Sequence, residues 1–183
     1  MPNTAPTVLA VQRDSKHRFS KEAQPSITLL TGLGIEGDAH CGVTVKHRYH
    51  ARRDPSQPNR RQVHLLQAEL FDEVNAKGFD VKPGDIGENI TTRGIDLLTL
   101  PEGTRLHIGD NAVVELTGLR HPCVYIDRFQ TGLLAAVKEK RADGSVLRKA
   151  GVMSIVITGG TVRADDPIRI ELPAEPHKPL QPI

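Results

Sequence analysis

Cys123 lies in the stretch Gly118-Leu119-Arg120-His121-Pro122-Cys123-Val124-Tyr125, which sets a soft sulfur at the end of an apolar run with basic residues just before it. A cysteine serves as nucleophile, sulfur carrier or metal ligand in its thiolate form, and an adjacent Arg or protonated His favours that form. Arg120 and His121 are spaced to do so. The competing reading is a small buried hydrophobe, since free cysteine is among the most buried residue types. The chain has one other cysteine, Cys41 in Gly37-Asp38-Ala39-His40-Cys41-Gly42, so there is no disulfide framework. A single Cys41–Cys123 bridge is not needed for a chain of this size.

Positive charge is concentrated in Lys46-His47-Arg48-Tyr49-His50-Ala51-Arg52-Arg53 and Arg60-Arg61, although the formal net charge is only +2. Such a cluster can hold phosphate groups, or it can be a solvated loop. His40, Cys41, His47 and His50 also admit a zinc reading, against which stands the lack of a Cys-x-x-Cys pair. Nucleic-acid binding is disfavoured, because stacking aromatics are scarce and no zinc-finger or homeodomain spacing occurs. Gly32-Leu33-Gly34 with Gly37 fits the bare spacing of a dinucleotide loop, but a charged, proline-broken stretch follows it instead of a helix.

The elements that must position these residues are short. With 183 residues, 25% charged and 38% hydrophobic, the chain is a globular sequence long enough for one core. With no Trp, four Phe and two Tyr, that core depends on Val, Ile and Leu. The N-terminus lacks the apolar run of a signal peptide and no segment has the length of a membrane span, so the expectation is a cytoplasmic protein. Strands are predicted at 7–12, 26–31, 94–100, 104–108, 112–117, 152–158 and 168–172. Gly109-Asp110-Asn111 reads as a hairpin turn. Residues 40–60 read as a long connection.

Helices are predicted at 66–76, where Leu66, Leu70 and Val74 recur every four residues, and at 127–140, where Phe129, Leu133, Ala136 and Val137 share a face. Residues 173–183 hold four of the 13 prolines and are expected to be disordered or extended. Many short strands with two attached helices predict a β-rich barrel or sandwich, not a doubly wound sheet.

Several segments in chain order then acquire a joint meaning: Gly32-Leu33-Gly34-Ile35-Glu36-Gly37-Asp38-Ala39-His40, Arg61-Gln62-Val63-His64-Leu65-Leu66, Gly84-Asp85-Ile86-Gly87-Glu88-Asn89-Ile90, Leu106-His107-Ile108-Gly109-Asp110, Arg120-His121-Pro122-Cys123 and Gly159-Gly160-Thr161-Val162-Arg163-Ala164-Asp165-Asp166. Together, over residues 7–172, they resemble the MOSC domain, named after the C-terminal domain of molybdenum-cofactor sulfurases. The chain looks like a stand-alone bacterial-type member, similar to the domain of the hydroxylaminopurine-resistance proteins without their extra C-terminal helical domain.

The resemblance implies a MOSC-type β-barrel and binding of the pterin form of the molybdenum cofactor (molybdopterin). It places Cys123 as the reactive cysteine and metal ligand, a role suited to a soft thiolate. It assigns Arg61 and Arg120 to the pterin phosphate, which a guanidinium can grip with two oxygens at once. His64, Glu88 and Asn89 match family positions beside them. Glu88 and Asn89 then line the pocket or fix the cysteine loop, unless they merely hold a turn. The basic 40–60 insertion departs from the minimal family pattern and leaves the substrate open.

Three functions compete. The first is a molybdenum-cofactor enzyme reducing N-hydroxylated compounds, which needs a redox partner because no iron–sulfur or flavin motif occurs here. The second is a sulfur carrier that forms a persulfide on Cys123 for assembly of a metal–sulfur centre. The third is a non-catalytic module that binds an anionic small molecule through the basic loop.

Overall fold

The computed structural model of the protein describes residues 5–183. Strand β8 (Ala112–Leu119) buries Ala112, Val114 and Leu116 on one face and leaves Val113 and Glu115 half-buried on the other, the period-two pattern of a pleated strand. It forms an antiparallel hairpin with β7 (Arg105–Ile108), and the pairing of Ile108 with Ala112 leaves Gly109-Asp110-Asn111 as the turn. On its other side β8 pairs with β11 (Val152–Thr158), the apolar strand expected from the sequence.

β11 continues antiparallel into β5 (Val63–Gln67), which pairs in parallel with β6 (Ile90–Arg93). β6 pairs with β1 (Thr7–Arg13), and β1 with the short β2 (Glu22–Gln24). At the far end β13 (Ile168–Glu171) joins β7. The eight-stranded order is therefore β13-β7-β8-β11-β5-β6-β1-β2. No continuous ladder closes this sheet into the expected barrel. Its ends approach through a bridge between Thr7 and Pro167, with Val8 N–H donating to the Asp166 carbonyl at 2.9 Å.

A second sheet pairs β3 (Ile27–Leu30) with β4 (Gly34–Ile35) on one side and β12 (Gly160–Val162) on the other. β9 (Lys138–Lys140) and β10 (Val146–Arg148) form a separate ribbon. Mostly β architecture is thus confirmed, with few helices.

The helices differ from expectation at informative places. Leu66 belongs to β5, and the helix that follows, α2, begins at Glu69 and runs to Asn75. The four-residue spacing arose because β5 alternates: Val63 and Leu65 enter the main sheet core, while Leu66 turns to a second cluster shared with Leu70 and Val74 of α2. The predicted helix at 127–140 is broken into α3 (Val124–Phe129), α4 (Leu133–Ala136) and β9. Gly132 sits between them at φ 89°, a left-handed conformation that interrupts a helix. Residues 94–100 form no strand; Leu97–Thr99 make a 3-10 turn, with the Asp96 side chain accepting from Leu98 N–H.

Residues 173–183 are extended, one of the two states expected of them, and they pack against the fold. Leu180 is buried, Glu102 N–H donates to the Lys178 carbonyl at 2.8 Å, and Leu119 donates to Gln181 at 2.8 Å and accepts from Ile183 at 3.2 Å. Prolines remove backbone donors but leave carbonyls free to accept, so the segment lies as a strap across the end of β8. It grips Leu119, the residue immediately before Arg120. No helix among the described residues is long and apolar enough to cross a membrane.

Candidate functional site

The loop between α2 and β6 is built by close approach. Gly84 and Gly87, at φ 93° and 88°, face the carbonyls of Lys21 and Phe19, and a Cβ at either position would collide with that backbone. Only glycine tolerates both the conformation and the proximity. The loop delivers Glu88 and Asn89 into the interior. Glu88 is fully buried, with Oε1 accepting from Gly84 N–H at 2.5 Å and from the Thr91 hydroxyl at 3.0 Å. Burial pushes its carboxyl above the ordinary range, against those hydrogen bonds and the Arg120 charge.

Asn89 uses its whole amide. Its Oδ1 accepts from His64 N–H at 3.1 Å, and Nδ2 donates to the Gln12 carbonyl at 3.2 Å and to Asp38 Oδ2 at 3.0 Å. His64 is buried too, its Nε2 bonded to the Ala150 carbonyl at 2.8 Å. Because a carbonyl only accepts, Nε2 carries the proton. Burial, reinforced by the Arg120 charge, lowers the imidazole to about 3, so His64 is neutral. His64 and Asn89 are thus occupied within the fold, while Glu88 keeps one buried oxygen, Oε2, without a partner.

Asp38 is the hub that sequence reading missed. It is buried, pairs with Lys21 Nζ, accepts from Asn89, and takes both the backbone N–H of His40 at 2.9 Å and a contact from His40 Nδ1 at 3.2 Å. Burial alone would raise its carboxyl, but the hydrogen bonds from His40 and the Lys21 charge outweigh it and hold the group well below the usual range. Only the distant Lys21 and Asn89 reveal its place.

The 40–60 segment is pinned rather than loose. Asn59 Nδ2 donates to the carbonyls of His40 and Gly42 at 2.8 and 3.0 Å, Thr44 bridges to Pro58, and a short helix α1 (Arg48–Arg53) caps the excursion. A row of imidazoles runs along it, with ring centroids 5.0 Å apart for His17 and His40, 6.4 Å for His40 and His47, and 5.2 Å for His47 and His50. Among the described residues no group of three or more His, Cys, Asp or Glu is arranged to hold a metal ion. The zinc reading of His40, Cys41, His47 and His50 therefore lacks a geometry. Cys41 and Cys123 are both free thiols.

The charges of two arginines act on this row, Arg61 on His47 and His50 and Arg120 on His47. Burial and the like charge of Arg120 lower Arg61 to about 10. Arg120 is lowered by burial, an effect opposed by Cys123 and Glu88. Burial, with the charges of Arg61 and Arg120 among its neighbours, brings His47 down to about 4. Neither arginine side chain forms an ion pair or hydrogen bond among the described residues, and Arg120 Nη1 is buried without a partner while its guanidinium lies 5.8 Å from the Phe19 ring centroid.

Cys123 stands half-buried at the N-cap of α3, its side chain making no capping bond. The structure therefore brings Arg61, Arg120 and Cys123 into one electrostatic neighbourhood. A cleft of about 480 Å³ lies next to it, lined by Phe19, Lys21, Tyr125, Arg128 and Phe129 among others; Cys123 does not line that cleft.

The MOSC domain model matches residues 37–169, a span that holds the Asp38 hub, both arginines and Cys123. The chain belongs to the MOSC domain family. Solved structures share the fold of this MOSC protein. The YuaD protein of Bacillus subtilis is 24% identical with a TM-score of 0.75, covering 93% of this chain and 98% of that one. YiiM of Escherichia coli is 20% identical with a TM-score of 0.62, covering 96% of this chain and 73% of its own. YiiM of Geobacillus stearothermophilus is 15% identical with a TM-score of 0.60, covering 96% and 77%. Among curated proteins no match to the sequence was found.

Proposed function

We propose that this MOSC protein binds the pterin form of the molybdenum cofactor, with Cys123 directed to the metal and Arg61 and Arg120 to the phosphate. The observation that carries this reading is the unpaired state of the two arginines. Two half-buried like charges near each other, one with a buried N–H left without an acceptor, are costly unless an anion answers them. A phosphate monoester supplies the missing charge and acceptors, and a half-buried thiol beside it suits a thiol-ligated metal, so the residues fit the group.

When bound, the molybdenum centre supplies two-electron chemistry of the kind needed to reduce an N-hydroxylated compound, with electrons from a redox partner protein. The chain's own residues hold and orient. Arg61 and Arg120 bind the phosphate, and Asn89 fixes His64 and Asp38 on either side. The free thiols suit a reducing cytoplasm. We also read the main sheet as barrel-like, supported by the Thr7–Pro167 bridge between its ends.

Exposure of Val124 and Tyr125, at 53% and 52%, favours one further reading. A persulfide on Cys123, bordered by exposed apolar side chains, is reachable by a sulfur-donor or acceptor protein. Molybdenum and pterin analysis of protein from a cofactor-competent host separates the two. The cofactor reading predicts both in wild type, with molybdenum reduced in Cys123→Ser. Folded wild type devoid of both, yet gaining one sulfur in intact mass from a sulfane donor unless Cys123 is replaced by Ser, would instead favour the carrier.

A further inference from the structure

Between Asp38 and Glu69 the chain carries six Lys and Arg residues and a single acid, Asp54. Asp54 is turned to Ser56, accepting from its N–H at 3.0 Å and its hydroxyl at 2.6 Å. Four of the six cations, Lys46, Arg48, Arg52 and Arg53, lie on or just before α1, are exposed, and pair with no carboxylate among the described residues. Elsewhere on the surface Arg18, Arg60, Arg93 and Arg105 each hold a carboxylate at 2.7–3.0 Å. A block of unanswered positive charge thus sits on one excursion of the chain.

Helix α1 buries none of its residues and belongs to neither core cluster. It is nevertheless braced from below. Val45 N–H donates to the Gln57 carbonyl and Asn59 N–H to the Val43 carbonyl, both at 2.9 Å, closing the excursion into a hairpin with α1 at its tip. On the helix itself Arg53 Nη1 donates to the Tyr49 hydroxyl at 2.8 Å, and its guanidinium lies 5.6 Å from the Tyr49 ring centroid. The helix gives the core nothing and presents a fixed, charged surface outward.

We propose that the hairpin tip, residues 43–53, is the docking surface for an acidic face of a partner protein. Its composition selects a protein over other polyanions. Arginine and tyrosine are the residues that dominate protein interfaces, and Val43 and Tyr49, 68% and 58% exposed, add apolar surface to the tip. A single-stranded nucleic acid needs a free ring to stack on, but the Tyr49 ring is already met by Arg53 and, edge-on at 5.2 Å, by His50. A lipid surface needs an apolar helical face, which the sequence Arg-Tyr-His-Ala-Arg-Arg does not supply. The inference goes beyond the cofactor reading above and does not depend on it. Where that reading calls for an electron donor, an acidic carrier is the kind this surface accepts.

Fluorescence anisotropy of the full chain with a labelled peptide rich in Asp and Glu around a central Leu-Phe pair tests it, beside a labelled oligo-dT of equal charge and co-sedimentation with phosphatidylserine vesicles. The peptide should bind more tightly than either, and its affinity should fall about tenfold between low and physiological salt. Arg48→Glu/Arg52→Glu should weaken it about tenfold or more, and Tyr49→Ala about threefold or more. Because α1 buries nothing, thermal unfolding should be unchanged in both variants. Arg61→Ala should leave peptide binding within about twofold, which separates this surface from the arginine site. Absence of peptide binding, or binding indifferent to Arg48→Glu/Arg52→Glu, would overturn the inference and leave the arginine site standing. Tighter binding of the oligonucleotide or the vesicles would overturn it in favour of a nucleic-acid or lipid partner. Peptide binding abolished by Arg61→Ala but kept in Arg48→Glu/Arg52→Glu would overturn it by assigning the peptide to the arginine site.

Discussion

Asn89 and His64 clasp each other through the backbone: Asn89 Oδ1 accepts the His64 N–H at 3.1 Å, and Asn89 N–H donates to the His64 carbonyl at 2.8 Å. The clasp ties β5 to the loop before β6, and the same amide reaches Gln12 and Asp38. Asn89→Ala removes three side-chain hydrogen bonds and leaves buried groups unanswered, for an expected loss of about 2–4 kcal/mol. Asn89→Asp should be worse, since its carboxylate would face the Gln12 carbonyl and the Asp38 carboxylate. Denaturant unfolding checks both, and an Asp variant more stable than the Ala variant would contradict the hydrogen-bond assignment.

His64 makes a signed contribution to acid stability. In the fold its imidazole is held at about 3, against 6.5 for the ordinary group, so the folded state resists a proton that the unfolded chain accepts. Above pH 6.5 nothing is lost. Between 6.5 and about 3 the protein should lose stability as pH falls, by about 1.4 kcal/mol per unit from this residue. Glu88, held protonated more readily than an ordinary carboxyl, acts in the opposite sense. A His64→Gln variant should show a shallower acid slope in denaturation midpoints; an unchanged slope would remove His64 from the account.

Arg120 is predicted to trade stability for binding. Arg120→Met keeps an apolar stem against Phe19 while removing an unpaired guanidinium and its repulsion of Arg61. Stability should hold or rise by about 1 kcal/mol, while phosphate binding is lost. A variant that loses several kcal/mol would mean that Arg120 has a structural partner in the fold.

The C-terminal strap supplies a further check. Deleting residues 178–183 removes buried Leu180 and both backbone bonds at Leu119, and an expected loss of about 2–5 kcal/mol follows from the emptied core position. Thermal unfolding unaltered by the deletion would restore the expectation of a tail that does not pack.

What the sequence disclosed follows from where the physics is local. The hairpin at Gly109-Asp110-Asn111 and the apolar strand β11 were legible because turn residues and alternation act over a few positions. Leu66 was misassigned because a strand residue and two helical residues happened to share one cluster at a helical spacing. The missed strand β6 begins at Ile90 directly after the Glu88-Asn89 turn, and its parallel partner β5 is distant in sequence. In the candidate site, Cys123, Arg61 and Arg120 are the residues that residue type and family resemblance point to. Asp38 is not among them, since its partners Lys21 and Asn89 lie far along the chain. The burial of His64, Glu88 and Asn89 is likewise a tertiary property that residue type alone does not carry.

The central claim, that Cys123 meets the metal, is tested most directly by molybdenum K-edge X-ray absorption on protein loaded in a cofactor-competent host. Wild type should show one more sulfur neighbour at molybdenum than Cys123→Ser, with pterin content equal in the two because Arg61 and Arg120 still hold the phosphate. An identical sulfur shell in both proteins would contradict the account.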